Sequence, residues 1–299
     1  MATQRYRKDQ ILSSLIQTAY LPTEITPTIT ARHFSVFLRN NFQSWRSYRP
    51  AKSTSTQFEK FSVPRENGNR RDLAIVHPAA QLRLSILITD NHKKIRDIIK
   101  ISGISLYDIE ADLPNLKAFK GVNFRELDRK RSEIARSKPY ILNADISRFF
   151  YTIYTHSIPW AILGKDKVKD ALINGSKSNK KKHWTDQIDS ALQFCQSRET
   201  FGIPVGPDTS RIVAELLLSG VHSEENVARL FKGARGFRLV DDFFIGFDSE
   251  PECQAALVAL RNSLAKFNLQ LNDDKTWKRE FSEPRIRQEP MQPRNHGRF

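Results

Sequence analysis

Near the start of the chain, apolar positions recur at helical spacing. Ile11, Leu12, Leu15 and Ile16 share one face, and Phe34, Val36, Phe37 and Phe42 outline a second helix. LPTEITPTIT between them is rich in Pro and Thr and reads as a loop. FEKFSVPRENGNRRDLAIVHP then turns extended, predicting a strand, a turn at Asn67-Gly68 and a second strand, with Arg65, Arg70 and Arg71 at the hairpin tip. KPYILNADISRFF is apolar up to Asp145 and predicts another strand. GIPVGPDTSRIVAELLL gives a Gly/Pro loop and then a helix using Ile212, Val213, Leu216 and Leu217. GFRLVDDFFIGFDS, residues 236–249, is apolar on both sides of two adjacent carboxylates and predicts strand, tight turn, strand. In SEPE, Ser249 and Glu252 stand at capping-box spacing with Pro251 in the first turn, opening a helix lined by Leu257, Leu260, Leu264 and Phe267. LQL at 269–271 reads as a short strand. From residue 139 the predicted order is strand, helix, long insertion, helix, hairpin, helix, strand. That is an α+β pattern, suited to an antiparallel sheet with helices on one face. No internal repeat appears.

The acidic positions change this picture. Burying a carboxylate without a partner is costly. The pair Asp273-Asp274 has Asn272 before it and Lys275 after it and reads as a solvated turn. Asp241-Asp242 instead lies between two apolar strands. Within a strand, neighbouring residues point to opposite faces, but at a turn that alternation breaks and both carboxylates can reach one point. A divalent cation there would offset their repulsion and desolvation; a purely structural turn is the other reading. Asp145 ends an apolar strand. If that strand pairs beside the hairpin, three carboxylates converge at one sheet edge, the donor set that two magnesium ions need while also bound to substrate phosphates.

Composition narrows the partners. The 299 residues, 39% of them hydrophobic, allow a sizeable core in one large or two small domains. Lys and Arg number 48 against 33 acidic residues, a net charge of +15, which favours nucleic acid over a membrane as partner. The two cysteines, Cys195 and Cys253, are far apart, which excludes a CxxC zinc site and a disulfide framework and fits a reducing cytoplasm. The charged N-terminus and the short, interrupted apolar stretch after it give neither a secretory signal nor a membrane span. Residues 165–183 are lysine-rich and read as a surface insertion, either touching phosphate or simply solvated. The last 17 residues hold three prolines and four arginines and read as a flexible basic tail.

VPRENGNRRDLAI, NADISRFF, GIPVGPDTSR, LVDDFFIGF and LQLNDDKT occur in the order of the sequence blocks of reverse transcriptases, across about residues 56–277. HSIPWAI, GIPVGPDTSR and AEL look like the bacterial defence-associated, or abortive-infection-like, group rather than the retroviral or group II intron enzymes. The resemblance implies a right-hand polymerase with an N-terminal helical segment (1–55), fingers (56–138), a palm with a ferredoxin-like sheet (139–282) carrying the basic insertion near 165–185, and the tail (283–299), its thumb reduced or absent. It implies RNA-directed DNA synthesis from dNTPs in antiviral defence, with Asp145, Asp241 and Asp242 as ligands of Mg²⁺ or Mn²⁺ and the Ile146 carbonyl completing one metal's shell. Arg65 and Arg71 match the positions that grip the triphosphate, a task suited to guanidinium forks; an exposed hairpin tip is the alternative. Gly202, Val205 and Gly206 match the loop whose backbone approaches the nascent base pair. Lys275 matches a lysine near the triphosphate, a candidate general acid, or else is a surface lysine. Phe150 matches the gate under the sugar that excludes a 2′-OH, with Phe149 in the core. Strand parity alone puts Phe149, not Phe150, on the face of Asp145, so the gate assignment requires the chain to leave strand geometry after Ile146.

The chain departs from the family pattern at three places. Leu239 stands where Tyr is usual, Val205 where Gln is usual, and Tyr151 where many relatives carry an acid. These losses bear on processive templated copying more than on metal binding. Little chain follows residue 282 to form a thumb, so duplex grip falls to the tail, a partner protein, a second copy or a structured RNA. Structured RNA and dNTPs are the expected partners. Two other readings stay open: a template-independent or protein-primed polymerase, with Tyr107, Tyr140 or Tyr154 supplying the hydroxyl, and a non-catalytic RNA-binding module on a polymerase scaffold.

Overall fold

The computed structural model describes residues 8–18, 20–22, 24–25, 29–41, 44, 55–64, 68–107, 109, 123–173 and 183–280. Phe42, Arg65, Asn67, residues 174–182 of the lysine-rich run and the tail after residue 280 lie outside the described residues.

Helix α1 (Lys8–Gln17) buries Ile11, Leu12, Leu15 and Ile16, the face its spacing predicts. Helix α2 (Arg32–Asn40) differs from expectation: Ser35 and Leu38 are buried, while Val36 and Phe37 are exposed. Positions 35 and 38 stand one turn apart and meet α1, where the Ser13 and Ser35 hydroxyls lie 3.0 Å apart. Strands β1 (Glu59–Pro64) and β2 (Arg70–Ile75) form a two-stranded antiparallel hairpin that closes at Pro64 opposite Arg70. Helix α3 (Pro78–Ile101) follows, capped by His77, whose Nδ1 accepts from the Ala79 amide. Helix α4 (Phe124–Ser137), capped by Asn123, buries only Leu127 and Ile134.

The chain then builds the sheet and its cover: β3 (Tyr140–Asp145), α5 (Phe149–Thr152), α6 (Ser157–Leu163), α7 (Lys165–Ile173), α8 (Trp184–Phe194), α9 (Asp208–Ser223), α10 (Glu225–Lys232), β4 (Arg235–Leu239), β5 (Asp242–Phe247), α11 (Glu250–Lys266) and β6 (Trp277–Glu280). The sheet runs β4-β5-β3-β6, antiparallel throughout. Period-two alternation sorts its central side chains. Leu142, Ala144, Phe243, Ile245 and Phe247 enter the main core with α3, α9 and α11. Ile141, Phe237 and Phe244 form a smaller core with Leu127 and Ile134 of α4 on the other face. The cross-strand partners Phe237 and Phe244 stack there at 5.8 Å. Ser249 caps α11 by accepting the Glu252 amide.

The start of the lysine-rich insertion, Lys165–Ile173, is helix α7. One local expectation is corrected. Residues 269–271 contribute only a bridge from Leu271 to Ile146, and the fourth strand is β6 instead. All four β6 side chains are exposed, so no alternation marks it in the sequence. No helix among the described residues is long and apolar enough to cross a membrane.

Candidate active site

The antiparallel register sets Asp145 directly opposite Asp242. Paired positions on adjacent strands project to the same face, so these two carboxylates are neighbours. They share parity with Ile141 and Phe244, and so belong to the face away from the main core. Asp241 lies in the two-residue connection between β4 and β5, and its carbonyl accepts the Ile146 amide at 3.3 Å. The other residue of that connection, Val240, has φ +54°. A β-branched side chain in the left-handed region costs on the order of 1–3 kcal/mol and persists only where its surroundings hold it.

Burial first, then the Asp242 and Asp145 carboxylates, push the Asp241 carboxyl up to about 7; its own backbone amide and the Arg71 guanidinium act against that rise. Asp145 is 6% exposed, and Lys275 Nζ stands 3.2 Å from its Oδ2. The single-turn 3₁₀ segment carrying Lys275 is pinned to the end of β3. Asn143 donates to the Lys275 carbonyl at 3.0 Å, and the Asn272 amide donates to the Asp145 carbonyl at 2.7 Å. Among the described residues no three His, Cys, Asp or Glu side chains form a ready-made metal shell. The donor set nevertheless suits a hard divalent cation. Asp145 and Asp242 stand at paired register positions beside the turn that carries Asp241, their charges oppose its ionisation, and a charge of about +2 near them would reverse that opposition.

The Arg71 guanidinium, on β2, acts against the rise of the Asp241 pKa; Arg65 lies outside the described residues. Val205 is 4% exposed, and its carbonyl accepts the Ala74 amide at 2.7 Å, tying the loop to β2. Its buried isopropyl group presents no amide where Gln is usual. Gly206 has φ +120°, and a Cβ there would sit 2.5 Å from Pro22 Cγ, so both backbone angle and space require glycine. The Gly202 amide donates to the Ile153 carbonyl at 2.8 Å, and the Ile203 amide to the Phe150 carbonyl at 2.8 Å, so the loop is docked on α5.

Phe149 is buried in the main core at 2% exposure, and Phe150 packs partly buried beside it, ring centroids 5.4 Å apart. Strand parity does not reach these residues. Arg148 has φ +46° and α5 begins at Phe149, so the chain leaves strand geometry after Ile146. Tyr151 is exposed, and its hydroxyl donates to the Asp72 carbonyl at 2.6 Å. Leu239 packs against the smaller core. Of the three tyrosines, Tyr107 lies under the Arg211 guanidinium; burial raises its pKa, the Arg211 charge acts against that rise, and Glu215, Asp208 and Asp241 add to it. Tyr140 reaches Glu280, and Tyr154 stacks with His156, Trp160 and Phe201. Arg238 and Glu215, both fully buried and ion-paired, were not singled out from the sequence.

A two-stranded hairpin tied to the Gly-rich loop, and a four-stranded antiparallel sheet with carboxylates at one end of its two central strands, match a fingers-and-palm α+β polymerase fold. The family model for reverse transcriptase (RNA-dependent DNA polymerase) matches residues 74–284, and the chain belongs to that family. Similar solved structures include apo telomerase from Candida tropicalis, at 12% identity and TM-score 0.47 over 90% of this chain and 53% of that one. The same telomerase truncated from its C-terminal domain aligns at 12% identity and TM-score 0.42 over 89% and 59%. Candida albicans telomerase in complex with the TWJ fragment of telomeric RNA aligns at 13% identity and TM-score 0.44 over 84% and 47%. The chain thus spans about half the length of those telomerases. No curated protein matches the sequence.

Proposed function

We propose that the chain is an RNA-directed DNA polymerase of bacterial antiviral defence that makes DNA from dNTPs with divalent metal. The observation that carries this reading is the register of Asp145 against Asp242, with Asp241 in the adjoining turn. Asp145, Asp241, Asp242 and the Ile146 carbonyl would hold Mg²⁺, with Mn²⁺ as an alternative. When bound, such ions lower the pKa of the attacking hydroxyl and stabilise the leaving pyrophosphate. Arg71, with Arg65, grips the triphosphate. Phe150 lies under the sugar, and Gly202 and Gly206 let backbone approach the new base pair. Lys275, beside Asp145, holds a proton within reach of the phosphates. The motifs HSIPWAI and GIPVGPDTSR support the defence-associated subtype. The net charge of +15 supports a structured RNA as partner, with the tail, a partner protein or a second copy completing the grip.

A second reading, template-independent or protein-primed synthesis, is favoured by the burial of Val205, which leaves no side-chain amide in the loop. The test is incorporation of labelled dNTPs with Mg²⁺ by protein purified with its co-purifying RNA. Wild type is expected to yield labelled polymer and Asp241→Asn/Asp242→Asn none. Equal product from both would overturn the assignment. Mass spectrometry of the reacted chain separates the readings, because nucleotide attached to a tyrosine marks protein priming.

A further inference from the structure

Arg238 is a cation with no access to solvent. It sits in β4, next to Phe237, whose ring enters the smaller core, so strand alternation sends Arg238 towards the main core and α9. There its guanidinium meets Glu215 of α9 in a fork: Nη1 donates to Oε1 at 2.9 Å and Nη2 to Oε2 at 2.8 Å. The two side chains are 0% and 1% exposed. Ser105 donates a further hydrogen bond to Glu215 Oε2 at 2.7 Å. The Arg238 backbone is fixed as well: its amide donates to the Ile104 carbonyl at 2.7 Å, and its carbonyl accepts the Leu106 amide at 2.9 Å.

Stability alone gives such a pair little reason to exist. Two charges removed from water recover their desolvation cost only with excellent geometry, and apolar residues of similar volume commonly do as well or better. This pair is also imperfect, since Arg238 Nε has no hydrogen-bond partner among the described residues. What apolar residues would not supply is the third bond of the guanidinium. Nη1 also donates to the Val240 carbonyl at 2.8 Å. Val240 is the left-handed residue of the β4–β5 turn, and its carbonyl belongs to the peptide that leads into Asp241. Asp241 is therefore held from both sides, through the preceding carbonyl by Arg238 and through its own carbonyl by the Ile146 amide. Glu215 in turn fixes the guanidinium from α9, the helix that begins just after the Gly202–Gly206 loop.

We infer that Arg238 and Glu215 are a positioning pair: the buried fork holds the Val240 carbonyl, and so the strained turn, in the geometry that presents Asp241 to a divalent cation. This rests on the proposed metal role of Asp145, Asp241 and Asp242. The guanidinium touches neither metal nor nucleotide and acts through the turn. Groups that orient metal ligands in this way typically matter tenfold to a hundredfold in affinity.

The test uses the full chain and Mn²⁺ alone as probe, with bound ion counted from the electron paramagnetic resonance signal of free Mn²⁺ and unfolding followed thermally. In Arg238→Leu/Glu215→Leu both charges go together, leaving neither buried alone. This variant is expected to unfold cooperatively at or near the wild-type temperature while its Mn²⁺ dissociation constant rises at least tenfold. A stable double variant that binds Mn²⁺ as wild type does would overturn the inference. Should that variant not fold, Arg238→Lys decides. A lysine still meets Glu215 as a point charge but lacks the second arm for the Val240 carbonyl, so at a temperature where the variant is folded weaker Mn²⁺ binding is expected, and wild-type binding would overturn the inference. Asp241→Asn/Asp242→Asn separates the two levels. If it binds Mn²⁺ as wild type does, the metal site itself is wrong and the positioning role falls with it. If it loses binding while the clamp variants keep theirs, only the positioning role falls.

Discussion

Burial and two neighbouring carboxylates act on Asp241 together. Its carboxyl is pushed up to about 7 by burial and by Asp242 and Asp145, against about 3.9 in an unfolded chain. Between those values the folded, metal-free protein holds a proton that the unfolded chain has released. This group's contribution to stability therefore falls as pH rises from about 4 to about 7 and is level above that. Asp241→Asn removes it. The variant should gain on wild type as pH rises, by on the order of 2–4 kcal/mol at pH 7.5. Urea unfolding of both proteins at pH 4.5 and pH 7.5 checks this, and a constant difference between them would contradict it. The aromatic pair after Ile146 gives a second prediction. Phe149→Ala should cost roughly 3–5 kcal/mol of stability. Phe150→Ala, partly buried, should cost less and admit rNTPs if Phe150 is the sugar gate. Denaturation and ribonucleotide incorporation read the two effects, and the reverse pattern would reassign the gate. The carboxylates were legible in the sequence because charge inside an apolar run is costly and therefore informative. Arg238 in FRLV and Glu215 in AELLL also lie inside apolar runs but were not singled out from the sequence, and only the fold shows that they meet. The turn of the chain at Arg148 has no residue signal, since a left-handed arginine is fixed by its surroundings.

Among elements, helices α1 and α11 were legible because each buries one face at its own period, and the β4–β5 hairpin and α9 because their apolar runs mark elements buried nearly all round. Helix α3 was not, because its buried positions, among them Leu84, Ile88, Ile95 and Ile99, are interrupted by the polar run Asp90–Lys94. Helices α8 and α10 escaped as short elements beside the insertion and the hairpin, and β6 as a strand with no buried side chain. One helix contact carries a prediction of its own. Gly220 of α9 faces α6 so closely that a Cβ would lie 2.4 Å from Ala161 Cβ and 2.8 Å from the Ala161 carbonyl oxygen. In a helix interior, Gly→Ala ordinarily gains up to about 1 kcal/mol. Here the backbone must move apart, so Gly220→Ala should instead lose roughly 1–3 kcal/mol. A variant as stable as wild type in urea would contradict the close packing of α6 on α9.

At the scale of the whole molecule, charge and the tie between hairpin and loop come to the fore. A net charge of +15 predicts that affinity for a structured RNA falls steeply with salt, about 0.7–0.9 log units per log unit of salt for each phosphate neutralised. A binding constant flat between 50 and 200 mM salt would remove RNA as the partner that the charge serves. The family was legible from five short blocks in order, because each block marks a place where polymerase chemistry sets the residue. The tertiary links between them were not: the Ala74 amide on the Val205 carbonyl joins two backbone groups, and the Tyr151 hydroxyl donates to the Asp72 carbonyl, so each link ends on a backbone group that every residue carries. The central claim is that Asp145, Asp241 and Asp242 form a divalent-metal centre serving DNA synthesis. Crystals grown with Mn²⁺ and a dNTP test it most directly through anomalous scattering. The account predicts anomalous peaks about 2.1 Å from oxygens of these three carboxylates, with the triphosphate between them and Arg71. A well-ordered nucleotide with no anomalous peak among the three carboxylates would contradict it.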